Sequence, residues 1–112
     1  MNTEQTTAES NTTHSTGRPS AEVPMQTPIK RKGETITTLQ IMRPRTGDLR
    51  GLLLADVVNM KTDAIATLLP RITVPTLIKS EVDEMDPADL VSCGVEVVSF
   101  LVPKATMESL SV

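Results

Sequence analysis

A chain of 112 residues with a single aromatic side chain, Phe100, must build whatever core it has from Leu, Ile, Val, Met and Ala. An aliphatic core of that kind suits helices and adaptable packing. It also removes the rings that anchor tight protein interfaces and stack on unpaired bases, so sequence-specific single-strand binding is disfavoured and a dynamic interaction surface is expected. The length accommodates one modest domain.

The apolar residues are unevenly distributed. Residues 1–25 are dominated by Thr, Ser, Glu, Asn and Gln, with almost no large apolar side chain before Val23. Such a stretch cannot bury enough surface to offset its ordering entropy and reads as a disordered polar arm. From Thr27 to Arg43 the β-branched residues and partial alternation of Ile36-Thr37-Thr38-Leu39-Gln40-Ile41-Met42 predict a short hairpin turning at Gly33. Pro24 and Pro28 cannot donate to a ladder, which confines the first strand to an edge or shortens it.

After Pro44 the period changes from two to three or four. The sequence predicts a helix from Thr46, capped by that residue, to about Asn59, with Leu49, Leu52, Leu53 and Val57 along one side. A second helix starts near Thr62, carries Ile65, Leu68 and Leu69, and is expected to break at Pro70. A short third helix follows over Ser80 to Met85, with Ser80 and Asp83 marking its start. In the fourth, Asp86 caps, Pro87 occupies the first position and Leu90, Val91, Val95, Val97, Val98 and Leu101 follow, with Pro103 ending it. Residues 104–112 read as a flexible tail. The expected architecture is α+β, mainly α: an N-terminal hairpin and a small bundle of three to four helices over residues 26–103, forming a single domain.

Charge and chemistry exclude several classes. The net charge of -3 opposes attraction to a polyanion. The basic run Lys30-Arg31-Lys32 reads as a solvated turn, with a contact for an acidic partner as the sharper alternative. A helix-turn-helix reader over Thr46 to Leu69 would leave its second helix with Asp63 and no Arg or Lys before Arg71. His14, the one histidine, lies far from Cys93, the one cysteine, so neither a metal ligand set nor a Cys-His nucleophile pair is expected. The acids Glu81, Asp83, Glu84, Asp86 and Asp89 sit at helix starts, where negative charge is stabilising, and read as caps rather than general acids and bases. No glycine-rich phosphate loop occurs. Catalysis, cofactors, nucleic acid and membrane insertion are all unsupported, and a single cysteine is compatible with the cytoplasm.

The stretch Ile36 to Met42 leading into Arg43-Pro44-Arg45-Thr46-Gly47-Asp48-Leu49-Arg50-Gly51 resembles the phage tail assembly chaperone family, the E-type proteins of Mu-like and P2-like contractile-tailed phages. The downstream serial pattern agrees: Asp63-Ala64-Ile65, then Leu68-Leu69-Pro70-Arg71-Ile72-Thr73, then Met85-Asp86-Pro87-Ala88-Asp89-Leu90 into Val98, Phe100 and Leu101. The resemblance covers roughly residues 29–103. It implies a small non-virion protein of the host cytoplasm, made late, that shields the tape measure protein before tail tube subunits polymerise. It also implies a longer product made by ribosomal frameshift, through which the tail tube protein would be a further partner. Two other classes stand beside it: a structural minor tail protein retained in the virion, and a small DNA-binding regulator. The candidate partner-contact residues are Leu49, Leu52, Leu53, Val57, Leu68, Leu69, Leu90, Val97 and Leu101, each of which the core also claims; self-association would let some serve both ends.

Overall fold

The computed structural model describes residues 18–102. The expected tail, and the expected arm up to residue 17, lie outside the described residues. The first strand, β1 (Ser20–Arg31), pairs antiparallel with β2 (Glu34–Met42), so the hairpin begins earlier than the sequence suggests. Residues 20–25 therefore belong to the sheet and not to a disordered arm. Val23 and Met25 face inward at alternate positions and bury their side chains, enough to hold the segment in the ladder. Gly33 takes the left-handed backbone of the tight turn, with φ +85°. A Cβ there would meet nothing within 4 Å, so backbone freedom, and not space, is what requires glycine.

The prolines of β1 act as expected. The strand order is β1-β2-β3, which leaves β1 at an edge, and the register shifts between Pro24, opposite Thr38, and Ile29, opposite Ile36. The extra residues bulge out of the ladder and reset the alternation, so that Ile36 and Leu39 both face the core. The third strand, β3 (Thr73–Val74), adds two residues to the far side of β2, and the sequence had offered no sign of it.

The predicted helix from Thr46 to Asn59 is instead two pieces. A single 3-10 turn, Thr46–Leu49, is followed by a break and then by α1 (Leu54–Val58). Gly51 stands between them at φ +81°, a conformation incompatible with a continuous helix. Asp48, not Thr46, satisfies the start, its carboxylate accepting from the Arg45 amide at 3.0 Å. The next helix, α2 (Thr62–Ile72), runs through Pro70 and does not break there. Pro70 forfeits the one bond its amide would have made to the Ala66 carbonyl, and continuing the helix buries Ile72 beside Ile65, Leu68 and Leu69. Thr73 closes it by donating its hydroxyl to the Leu69 carbonyl at 2.9 Å, and accepts from the Leu77 amide at 3.2 Å.

The short α3 (Lys79–Asp83) starts one residue before the expected Ser80. Glu81, not Ser80, completes its first turn by accepting from the Ile78 amide at 3.0 Å. The start of α4 (Pro87–Leu101) matches the sequence reading: Asp86 caps it, accepting from the Ala88 amide at 2.9 Å, and Pro87 holds the first position. The fold is thus α+β, a three-stranded antiparallel sheet among the described residues with four helices following the hairpin. One cluster forms the core: Val23, Leu39 and Ile41 from the sheet against Ile65, Leu68, Leu69, Ile72, Leu77, Cys93 and Val97 from the helical side. Each large aliphatic side chain so buried contributes roughly 1.5–3 kcal/mol of transfer free energy.

Candidate interaction surface

The nine residues expected to meet a partner divide sharply. Val57, Leu68, Leu69 and Val97 have no accessible surface; they are the core, and a contact through them is corrected to a packing role. Their helical stripe faces the sheet and neighbouring helices, so folding itself consumes it. Leu49, Leu52, Leu90 and Leu101 pack against the cluster with part of their surface open. Leu53 alone of the nine is largely outside, 69% exposed.

Further exposed apolar residues escaped the sequence reading as contact candidates: Leu54 and Val58 on α1, Val91 and Val95 on α4, and Ile78 before α3. A signal for some of them was present. On α4, Cys93 and Val97 share one face, and Val91 and Val95, one turn apart from each other, fall on another. Leu52, Leu53 and Leu54 are consecutive, and three consecutive residues cannot all point inward. What the spacing could not supply is how the two helices meet. Met60, just beyond α1, lies against Gly94, where an added Cβ would approach its terminal methyl to 2.7 Å. That contact sets the end of α1 alongside the middle of α4, at Gly94. Exposed apolar residues thus lie on both of these touching helices, Leu53, Leu54 and Val58 at α1 and Val91 and Val95 on α4.

The frame beneath these helices depends on two acids. Asp89, 2% exposed, accepts from the backbone amides of Gln26 at 2.7 Å and Thr27 at 3.0 Å. Those amides lie in the β1 bulge, where the strand register shifts, so α4 supplies the acceptor that the ladder withholds. Asp86 continues the tie, accepting from the Thr27 hydroxyl at 2.8 Å. The Ala88 amide, then the Thr27 hydroxyl, hold its carboxyl below the ordinary carboxylate range. The sequence had assigned both acids to helix capping; the cross-link from Asp89 to β1 spans more than sixty positions and has no local signature.

Among the described residues no group of His, Cys, Asp and Glu converges as a metal site. Cys93 is buried, and burial first, with Asp89 and Glu96 adding to it, pushes its thiol up to about 12. No described helix is long and apolar enough to cross a membrane.

The fold defines a small α+β domain with no built reactive site among the described residues. The chain belongs to the family described as phage tail assembly chaperone proteins, E, or 41 or 14, whose model matches residues 22–102. It is similar to Tail assembly protein E of Escherichia phage P2, 39% identical over 83 residues that span 74% of this chain and 91% of that protein. It is also similar to Tail assembly protein E' of the same phage, 40% identical over 80 residues, 71% of this chain but only 56% of that longer relative. No solved structure matches it significantly. A role in phage tail assembly follows from this membership.

Proposed function

We propose that this chain acts in the host cytoplasm by binding and shielding the tape measure protein before the tail tube polymerises around it, without catalysing a reaction. The observation that carries the reading is the exposed apolar surface of α1 and α4. Single exposed aliphatic residues are ordinary on a protein surface, whereas Leu54 with Val58 and Val91 with Val95, each pair one helical turn apart on touching helices, are two apolar strips suited to an apolar helical partner. A long helical client with bare apolar faces aggregates unless such rows are covered. The absence of aromatic anchors favours reversible covering over a permanent complex. A longer product of the same gene, reaching the tail tube protein through its added segment, is part of the proposal; the longer relative E' supports it.

The test is co-expression with the tape measure protein of the same phage, followed by affinity capture and measurement of soluble client. The parent chain is expected to capture the client and keep it in solution. Leu54→Asp combined with Val91→Asp should abolish both effects, and Lys32→Asp, exposed at the hairpin turn away from both helices, should not. A client that stays insoluble and uncaptured beside the parent chain sinks the reading.

A further inference from the structure

A cleft of about 500 Å³ opens where the two ends of the hairpin meet, lined by Arg18, Pro19, Arg43, Pro44, Arg45 and Thr46. Its walls are pinned by the fold: the Arg43 amide donates to the Pro19 carbonyl at 2.8 Å, and Pro44 is buried. Among the described residues, one carboxylate serves this corner. Asp48 is engaged by the Arg18 guanidinium at 2.6 Å and by the Arg45 amide. Burial works to raise the Asp48 carboxyl, but the Arg45 amide, Arg18 and the charge of Arg45 together outweigh it and hold the group below its ordinary range. Arg43 and Arg45 are exposed, and neither forms an ion pair among the described residues. Arg71 adds charge at the flank, its guanidinium donating to the carbonyls of Asp48 and Arg50 at 2.7 and 2.8 Å, which leaves that charge without a carboxylate.

The other end of the hairpin is the useful contrast. There Arg31 grips Glu81 through two hydrogen bonds of 2.7 and 2.9 Å, so a basic residue of the Lys30-Arg31-Lys32 run already has its acid. At the cleft, cations are gathered in excess in a chain whose net charge is -3. Asp48 offsets part of that positive charge, and an external anion would offset more of it.

We propose that this cleft binds the carboxylate side chains of an acidic protein segment. The planar guanidinium fork matches a carboxylate, as Arg31 demonstrates within the same molecule. Nucleic acid fits the corner less well. Its arginines come from strand ends, a loop and the last turn of α2, so no helix lays a basic row into a groove. No aromatic ring lines the cleft to stack a base, and the remaining surface repels a polyanion. The site is distinct from the apolar strips in chemistry and goes beyond client shielding.

The experiment uses the full chain and a fluorescent peptide of alternating glutamate and alanine, followed by anisotropy at low and raised salt, with duplex DNA as competitor. The peptide is expected to bind at low salt and to be released as salt rises. Arg43→Glu with Arg45→Glu should weaken binding about tenfold or more, while Lys30→Glu with Lys32→Glu, the same change in net charge at the other end, should weaken it less than about twofold. Arg43→Ala with Arg45→Ala, checked for folding by circular dichroism, should move affinity in the same direction by less. No binding at low salt, equal losses for both charge-reversed pairs, or displacement of the peptide by a small excess of DNA would each overturn the proposal, the last by reassigning the cleft to phosphate.

Discussion

Replacing Asp89 by alanine tests the central tie of this fold. The carboxylate is almost wholly enclosed and accepts two backbone amides, from Gln26 and Thr27, at a bulge where the strand partner is out of register. Leaving a buried donor without an acceptor costs about 1–3 kcal/mol, and the bulge lies near the surface, where water recovers part of that loss. Two amides at the lower half of the range give a destabilisation of about 3 kcal/mol. A domain of this size has about 4–13 kcal/mol in all, roughly 0.05–0.15 per residue, so the loss is a large fraction. At about 4–8 °C per kcal/mol, the thermal midpoint should fall by roughly 12–24 °C. Asparagine keeps one acceptor and turns an N–H toward the other amide, so it should cost about 2 kcal/mol, between parent and alanine. Urea unfolding followed by circular dichroism gives the free energies, and amide exchange at Gln26 and Thr27 should accelerate in both variants under native conditions. A loss below about 1 kcal/mol for alanine would show that the bulge amides have another acceptor and that the cross-link is incidental.

Other perturbations read separate parts of the molecule. Cys93, with its thiol pushed up to about 12, should be unreactive toward a disulfide reagent in the native chain at neutral pH and label at once in urea; native labelling at the rate of a free thiol would contradict its burial. Gly51→Ala should cost about 1–2 kcal/mol in urea unfolding, because φ is +81° there although the space is open; a neutral result would mean that the break before α1 does not need the left-handed backbone. Asp48, Glu81 and Asp86 all have carboxyls held below their ordinary values of 3.8, 4.5 and 3.8. The unfolded chain therefore takes up protons first as pH falls, so stability is full above about pH 5, declines through the ordinary carboxylate range and continues down to the lower folded values. Urea midpoints that stay flat from neutral pH to pH 3 would refute that linkage. Gly94→Ala should change stability by less than about 1 kcal/mol, since the helix gain offsets displacement of the flexible end of Met60; a loss of several kcal/mol would show that Met60 cannot move.

Much of the secondary structure was legible because its signals are local. Alternation from Ile36 to Met42, a left-handed glycine at the hairpin turn, proline on an edge strand and the Asp86-Pro87 helix start each depend on residues within one to four positions, and each is found in the structure. The family was also legible, because it rests on the serial order of such pieces. The errors share a cause. Thr46, Pro70 and Ser80 carry ordinary boundary propensities, but Gly51 breaks the first helix, the burial of Ile72 carries the second past its proline, and Glu81 takes over the cap of the third.

The candidate contacts were the least legible part, and the reason is geometric. Hydrophobicity places Leu53, Val57, Leu68 and Val91 in one class, yet Val57 and Leu68 have no surface while Leu53 and Val91 are mostly outside. Periodicity sorts residues into faces of a helix, but which face meets the sheet is settled by the packing of elements far apart in sequence. The same holds for polar groups: Asp89 reaches Gln26, Arg31 reaches Glu81 and Arg18 reaches Asp48 only after the hairpin and helices have docked. The sequence by itself determined an aliphatic α+β domain, its turns, one clear helix start and its family. Tertiary structure alone decided which apolar residues remain for a partner and which charges remain uncompensated, because both are remainders after every internal contact has been made.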